Sequence, residues 1–251
     1  RQRGVVTRDG RLAFVGVQEG PSSYAQAGEA RLTVVHTDGS VPPDGVLKTL
    51  IHPVTDTGAA LALSPDEKTI YATGVRACIH GAVQPGVRGI CKECEAEGQT
   101  WDHTVPKGFV YRFGWDDAQM TTFAKEIPLN EPVSVATDKE GNVYVADLAD
   151  DRVVVLKPDG ALLNSFKVSK PQRIEVHKKT GAIYVMAGEK DTGIIKLGPT
   201  GNVVARLALS IRAAAGFWPI RRPTMALDDS AEPAVLWVAG PLYRIEDRVL
   251  R

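Results

Sequence analysis

The sequence predicts an all-β protein, a β-propeller of four-stranded blades. A repeat of about 40 residues runs through the 251-residue chain, and each copy contains short runs of β-branched and aromatic residues bounded by Gly, Asp, Asn or Pro. This period with short strands is typical of propellers rather than of sandwiches. Five blades are recognisable, and we expect a full ring of six or more. The sequence therefore predicts a single propeller domain over residues 1–251, incomplete at one or both ends.

The clearest copy covers residues 131–166 and has the pattern of four strands separated by three turns. The second strand of each blade is predicted in "RLAFVGV", "KTIYATG", "NVYVADL", "AIYVMAG" and "VLWVAGP". The third strand is predicted in "RLTVVHTDG", "FVYRFGWDD", "RVVVLKPDG", "IIKLGPTG" and "LYRIED". Alternate residues of these strands would face the neighbouring blades, and the Asp-Gly pairs would turn the chain.

Residues 132–160 resemble the NHL repeat in the proline-led first strand, in "GNVYVAD" and in "DRVVVLKPDG". The segment "LALSPDEKTIYATG", which starts at Leu61, resembles the related YVTN type of propeller repeat. The resemblance implies a propeller architecture, which by itself specifies function only weakly. Propellers similar to this one include metal-dependent lactonases and the amidating lyase, which gather carboxylates or histidines around a central metal. The sequence shows no matching set of ligands.

Three insertions interrupt the repeat, at residues 18–30, 75–107 and 210–222. The first two lie between the second and third strands of a blade, and the third joins one blade to the next. Both kinds of connection lie on the same face of a propeller, so we expect a binding surface there. Its candidate contact residues are Trp101, Phe217, Trp218 and Arg222. The alternatives are insertions tolerated at exposed loops, or aromatic residues that pack the loops down.

The insertion at residues 75–107 holds all three cysteines of the chain. Cysteines two residues apart, with a third cysteine and histidines nearby, are typical of a tetrahedral structural zinc site. The candidate ligands are Cys78, Cys91, Cys94 and His103, or His80 in place of His103. A bound metal would order a loop that has too little apolar surface to order itself. A disulfide from Cys78 to one of the pair, or free thiols, are the alternatives.

Familiar catalytic motifs are missing from the sequence: it has no Gly-rich phosphate loop, no Gly-x-Ser-x-Gly elbow and no His-Glu-x-x-His pair. Polar residues nevertheless occur on the predicted inner strands, where other copies have alanine, methionine or leucine. They are Glu131, Ser134, Arg173, Glu175 and Arg222. Arg173 and Glu175 are the candidate catalytic pair. A structural ion pair or a solvated channel wall is the alternative interpretation.

The composition argues against a nucleic-acid partner and against a membrane-spanning segment. Thirty basic and thirty acidic residues cancel, so no overall field would attract nucleic acid, and the apolar runs fall far short of the roughly 20 residues of a membrane span. The leading hypothesis is a non-catalytic interaction module that binds a protein partner or other domains of the same protein. Because the chain starts at Arg1, we expect a removed leader and an extracytoplasmic location, periplasmic or secreted. The alternatives are a metal-dependent enzyme, lactonase-like or lyase-like, and a subunit of a redox complex.

Overall fold

The computed structural model describes residues 4–17, 30–35, 38, 40, 51–53, 60–77, 108–115, 117, 120–188, 192–209, 224–239 and 243–246. These residues form twenty β-strands, and the described part of the chain contains no helix that could cross a bilayer. The strands of the first half are β1 (Gly4–Val6), β2 (Leu12–Val17), β3 (Ala30–Val35), β4 (Ile51–Pro53), β5 (Ala60–Leu63), β6 (Thr69–Thr73), β7 (Val75–Ala77), β8 (Val110–Gly114), β9 (Thr121–Phe123) and β10 (Pro132–Thr137). Those of the second half are β11 (Val143–Asp147), β12 (Arg152–Leu156), β13 (Leu162–Lys167), β14 (Pro171–Val176), β15 (Ile183–Ala187), β16 (Gly193–Leu197), β17 (Val203–Ala208), β18 (Thr224–Asp228), β19 (Val235–Ala239) and β20 (Tyr243–Glu246).

The strands form five antiparallel sheets that follow one another along the chain, as the repeat predicts. Their orders are β1-β2-β3-β4-β7, β5-β6-β8-β9, β10-β11-β12-β13, β14-β15-β16-β17 and β18-β19-β20. Each predicted second-strand and third-strand segment coincides with the second or third strand of one of these sheets. The prediction of an all-β propeller with four-stranded blades is therefore confirmed.

The prediction for residues 75–107 needs one correction. We expected the whole segment to be a loop, but its first three residues form β7, which pairs with β4 at the outer edge of the first sheet. The chain leaves β6 through Gly74, whose φ of 69° suits glycine and redirects the backbone. The unpaired edge of β4 then accepts the β-branched Val75 opposite Pro53. The insertion thus begins as a fifth strand of the first blade.

Apolar side chains fill the spaces between consecutive sheets. Four buried clusters lie in these spaces, one for each neighbouring pair of sheets. The first strands of the sheets, β1, β5, β10, β14 and β18, lie side by side in that order and are called the inner strands. Because side chains alternate along a strand, the two faces of each sheet can both supply core.

The residue that follows each of the first four inner strands closes the turn to the second strand. Thr7, Ser64, Asp138 and His177 occupy this position, and the side chain of each accepts a backbone N–H of the same turn. Four different residue types therefore perform the same structural task. The Nδ1 atom of His177 lies 3.2 Å from the backbone nitrogens of Lys179 and Thr180, so this buried histidine has a structural role.

Candidate functional site

The candidate pair Arg173 and Glu175 lies on the inner strand β14. A β-bulge between Pro171 and Arg173 shifts the register, and from there Ile174 and Val176 enter the core between the third and fourth sheets. Alternation along the strand places Arg173 and Glu175 on the other side of β14. The bulge therefore sets which face of β14 carries Arg173 and Glu175, and bulges often aim side chains in this way.

Arg173 is buried and links two inner strands. Its Nη1 atom lies 2.8 Å from the carbonyl oxygen of Gln172 and 3.2 Å from that of Val133 on β10. Nearby, the backbone N–H of Ile174 donates to the hydroxyl of Ser134, at 3.2 Å. Two polar residues that the sequence assigned to the channel thus join the third sheet to the fourth.

Glu175 has a different environment from Arg173. The residue is half-buried, and protein atoms closely surround its carboxyl group. Loss of hydration raises the pKa of Glu175 to about 8, opposed by the positive charges of Lys178 and Arg173 and assisted by the negative charge of Asp229. No hydrogen bond reaches this carboxyl from the part of the chain that the structure describes. At neutral pH the group is therefore largely protonated.

Lys178 lies beside Glu175 and connects three sheets. Its ammonium Nζ donates to the carbonyl and the hydroxyl oxygen of Thr137 on β10, both at 3.0 Å, and its backbone N–H donates to Asp229 beyond β18, at 3.3 Å. Burial lowers the pKa of Lys178, and the neighbouring acidic groups of Asp229, Asp138 and Glu175 oppose that change. Lys178 thus joins the third, fourth and fifth sheets, with its side chain on Thr137 and its backbone N–H on Asp229.

Two further contacts extend these connections to the first two sheets. The hydroxyl of Thr137 donates to the carbonyl oxygen of Leu63 at the end of β5. The guanidinium of Arg8, which follows β1, lies 3.4 Å from the carboxylate of Glu67 in the second sheet. Every consecutive pair of sheets is therefore joined at the end of the inner strands. We call the set of Arg8, Glu67, Thr137, Lys178 and Asp229 the inter-sheet belt.

The inter-sheet belt lies at the end of the propeller where each inner strand turns into the second strand. The described strand ends that border the predicted insertions lie at the opposite end, where second strands turn into third strands and outer strands lead to the next inner strand. At that opposite end, buried Asp147 accepts the backbone N–H groups of Asn130 and Glu131 and contacts Arg152, at distances of 2.8 to 3.0 Å. The described polar residues at both ends therefore hold strands in register.

The structure describes only some of the predicted site residues. Arg173 and Glu175 are described on β14, with Ser134 on β10 and Glu131 just before it. The predicted metal ligands and contact residues fall outside the described ranges: Cys78, His80, Cys91, Cys94, His103, Trp101, Phe217, Trp218 and Arg222. Among the residues that are described, no group of three or more His, Cys, Asp or Glu residues is placed to hold a metal ion.

Sequence reasoning missed Lys178, Asp229 and Thr137. Each lies at or just after the end of an inner strand, where the repeat predicts only a turn. Their position relative to the repeat was a usable signal, because equivalent turns in neighbouring blades bring such residues together. The charges of Lys178 and Asp229 did not mark them as contact residues, because exposed lysine and aspartate are common in turns.

No known protein-family profile matches the chain, and no curated protein is significantly similar to it. Solved structures share its fold. A virginiamycin B lyase from Staphylococcus aureus is 12% identical, with 98% of this chain and 66% of the lyase covered and a TM-score of 0.55. A chain of the nidogen/laminin complex is 15% identical, with 95% and 75% covered and a TM-score of 0.54.

Hydrazine synthase of Kuenenia stuttgartiensis is also similar, at 12% identity, with 97% of this chain and 65% of that chain covered and a TM-score of 0.52. This chain spans 53% of a gluconolactonase from Xanthomonas campestris and about two thirds of the lyase. At these identities the similarity establishes the fold alone. The five sheets and the solved structures together define a β-propeller protein.

Proposed function

We propose that the chain is a non-catalytic β-propeller module of the NHL or YVTN repeat type, which binds a protein partner through its loop-bearing face. One observation supports this proposal above others: Arg173, Ser134, Thr137 and Lys178 each hydrogen-bond across to a neighbouring sheet. Polar groups that join blades stabilise the frame, which leaves recognition to the loops. In this proposal the module acts outside the cytoplasm, within a larger protein or complex.

The loop-bearing face of this proposal consists of the insertions at residues 18–30, 75–107 and 210–222. Large aromatic residues provide much of the binding energy in protein interfaces, which makes Trp101, Phe217 and Trp218 the proposed anchors, with Arg222 beside them. A protein partner also fits the chain's formal net charge of zero. The nidogen/laminin complex is a fold-level precedent for a propeller in a protein assembly.

Site-specific crosslinking in the producing organism tests this proposal. A photoreactive amino acid would replace Trp101 or Phe217 in separate variants. The matched control replaces Lys139, which is exposed in the turn at the opposite end of the third sheet. We expect the same partner to be crosslinked from both loop positions and not from position 139. Crosslinking from position 139 alone would contradict the proposal, because it would place the partner on the other face.

Deletion of residues 78–107 gives a second test, with a short Asp-Gly turn as the replacement. We expect the β fold to remain and the crosslinked partner to be lost. Retaining β7 in this variant preserves the fifth strand of the first sheet. Unfolding of the variant would show that the segment completes the core instead of binding a partner.

We also propose a structural zinc ion in the cysteine-containing loop, held by Cys78, Cys91 and Cys94 with His103 or His80. Thiolates at these spacings form stable tetrahedral sites with zinc–sulfur distances of about 2.3 Å. Elemental analysis should find about one zinc per chain, which replacement of Cys91 and Cys94 by serine removes. A metal-free protein whose mass is lower by two hydrogens would indicate a disulfide instead.

Glu175 supports a second candidate function, a propeller enzyme that acts on a small polar substrate in the channel. The carboxyl of a half-buried residue with a pKa of about 8 can donate or accept a proton near neutral pH. The test is turnover of a panel of lactones and of virginiamycin B with Mg²⁺, Ca²⁺, Mn²⁺ or Zn²⁺ present. Activity that Glu175→Gln abolishes, with folding unchanged, would favour the enzyme over the binding module.

A further inference from the structure

Four apolar side chains are exposed on the outermost strands of the third and fourth sheets. Leu162 and Leu163 on β13 are 51% and 49% exposed, and Val203 and Val204 on β17 are 49% and 46% exposed. The two pairs occupy equivalent positions, because Leu162 pairs with Leu156 and Val203 pairs with Leu197, the last residues of the third strands. The same apolar feature thus recurs on two adjacent blades.

A β-bulge accompanies each pair. In β13 the pairing passes from Asn164 to Leu162 and leaves Leu163 without a partner, and in β17 it passes from Ala205 to Val203 and leaves Val204 without one. A bulge inserts an extra residue and changes the direction of its side chain. It also interrupts the regular edge that another strand would need for pairing. These edges are therefore better suited to side-chain contacts than to the addition of a strand.

The ring of Phe166, on the outer strand of the third sheet, packs against the fourth sheet. The ring lies so close to Gly201 that a Cβ atom there would be 2.2 Å from the Cδ1 atom of the ring. Phe166 belongs to β13, and Gly201 belongs to the turn that leads into β17. The third and fourth sheets therefore pack directly against each other here, and the two apolar pairs occupy equivalent positions on adjacent blades. We call Leu162, Leu163, Val203 and Val204 the apolar rim.

Charge is unevenly distributed around the apolar rim. The outer strands and the turns before them, residues 157–167 and 198–208, contain three cations and one acid, Asp159. The cations are Lys157, Lys167 and Arg206, and all three are exposed. The whole chain has equal numbers of acidic and basic residues, so this segment has a local excess of positive charge. Exposed apolar side chains flanked by basic residues fit an interface with anionic lipid headgroups.

We propose that the apolar rim rests on the surface of an anionic bilayer, with its leucines and valines among the headgroups and Lys157, Lys167 and Arg206 near the phosphates. Each exposed cation close to such a surface strengthens binding about fivefold, and the apolar side chains add a contribution that salt does not screen. The apolar rim lies at the start of β13 and β17, where third strands turn into outer strands, whereas the proposed loop-bearing face belongs to the other end of the sheets. The propeller could therefore hold a protein partner while it lies on a membrane.

Vesicle flotation with the 251-residue chain tests the proposal. Vesicles of phosphatidylcholine alone are compared with vesicles that contain about 30% phosphatidylglycerol, at low and physiological salt. We expect binding to the anionic vesicles, weaker at higher salt, and little binding to the neutral ones. The triple variant Lys157→Gln, Lys167→Gln and Arg206→Gln should bind about a hundredfold more weakly, which is three factors of about five.

Apolar variants separate this proposal from simple charge attraction. Leu163→Ser with Val204→Ser should reduce binding to anionic vesicles about tenfold or more, since each serine removes an inserted apolar side chain. Leu162→Ser with Val203→Ser is the second pair if the first does not fold by near-ultraviolet circular dichroism. Val6→Ser is the matched control, because Val6 is 61% exposed but lies on β1, away from the rim. This control should bind like the unmodified chain.

Three results would overturn the proposal. The first is equal or absent binding to the two kinds of vesicle, and the second is binding to anionic vesicles that neither serine pair reduces. The third is a concentration-dependent dimer in analytical ultracentrifugation that the same serine substitutions abolish, which would identify a second copy of the chain as the occupant of the rim.

Discussion

The third and fourth sheets share one frame. Their inner strands, "PVSVAT" and "PQRIEV", both contain a bulge at the second residue, and their outer strands share a second bulge. Tyr144 and Tyr184, 40 positions apart, both lie in the second strand and are buried. Apolar residues from both sheets meet in one buried cluster between them. The repeat therefore determines strands, bulges and core in the same way in both blades.

The two sheets differ where their inner strands face the centre. Ser134 of the third sheet corresponds to Arg173 of the fourth, and Ala136 corresponds to Glu175, in each case 39 positions later. Thr137 corresponds in the same way to Val176. Small uncharged residues are thus replaced by a buried cation and a carboxyl with a raised pKa. The difference shows that the frame tolerates changes at the axis that the core positions would not accept.

The largest effect that we expect comes from the turn glycines of these two sheets. Gly160 and Gly201 are equivalent, with φ of 94° and 86°, and alanine at either position would be strained. Only at Gly201 would the new methyl group overlap a ring, that of Phe166. Gly201→Ala should therefore lower the free energy of unfolding by about 4 kcal/mol, and Gly160→Ala by about 1.5 kcal/mol. Urea denaturation measures both values.

Replacing Phe166 by a smaller side chain tests why the two glycine substitutions should differ in their effect on stability. If the overlap with Phe166 is responsible, Phe166→Leu in the Gly201→Ala background should recover part of the lost stability, although Phe166→Leu alone is destabilising. Equal effects of the two glycine substitutions would show that backbone strain alone sets their cost.

The second prediction concerns Asp147, which has no counterpart in the fourth sheet because Ala187 occupies the equivalent position, 40 residues later. Asp147→Ala removes the acceptor of the backbone N–H groups of Asn130 and Glu131 and the carboxylate next to Arg152. We expect a loss of about 3 kcal/mol in the free energy of unfolding. Asp147→Asn keeps an acceptor oxygen and should lose about half as much. A loss below 1 kcal/mol in the alanine variant would mean that solvent replaces the carboxylate.

The third prediction uses the raised pKa of Glu175. The folded protein holds this proton more tightly than the unfolded chain, whose carboxyl has an ordinary pKa of 4.5. The contribution of Glu175 to the free energy of unfolding is therefore largest below pH 4.5. It falls between pH 4.5 and 8 and stays at its lowest value above pH 8. Glu175→Gln removes this loss. At pH 8.5 the variant should be about 2 kcal/mol more stable than the unmodified chain, with almost no difference at pH 4.5.

Urea denaturation at pH 4.5, 6.5 and 8.5 measures the effect of Glu175→Gln. The matched control is Glu140→Gln in the third sheet, since the Glu140 carboxylate is exposed beside Lys139. This control should change stability by less than 0.5 kcal/mol at each pH. A Glu175 variant whose gain does not grow with pH would show that the carboxyl is well hydrated.

The sequence predicted the frame in detail, because strands, turns and core depend on local patterns that recur. The Asp-Gly and Thr-Gly turns lie where the repeat placed them, and Gly160 and Gly201 have the left-handed backbone that such turns require. The sequence also indicated Arg173 and Glu175, since charges on a repeat position that is otherwise apolar are conspicuous.

The contacts across the sheets could not be predicted in the same way. Lys178 and Thr137 are 41 positions apart, and their proximity depends on the packing of one blade against the next. The pairing of β7 with the first sheet likewise depends on an edge that no local pattern marks. Both are consequences of tertiary arrangement, which a single sequence does not encode as a periodic signal.

The smallest effect that we predict tests the hydroxyl of Thr137 in the inter-sheet belt. The fourth sheet has Val176 at the equivalent position, so Thr137→Val places a side chain of nearly the same shape where the frame already accepts it. The substitution removes the hydrogen bond to Leu63 and one of the two that Lys178 makes, while the Thr137 carbonyl still accepts from Lys178. We expect a loss of about 1 kcal/mol in the free energy of unfolding, since one donor bond is removed and one acceptor is kept. Thr137→Ser retains the hydroxyl and should lose less than Thr137→Val. If Thr137→Val is at least as stable as the unmodified chain, the inter-sheet belt holds the sheets through the contact of Lys178 with the Thr137 carbonyl alone. The third and fourth sheets would then be equivalent at this position.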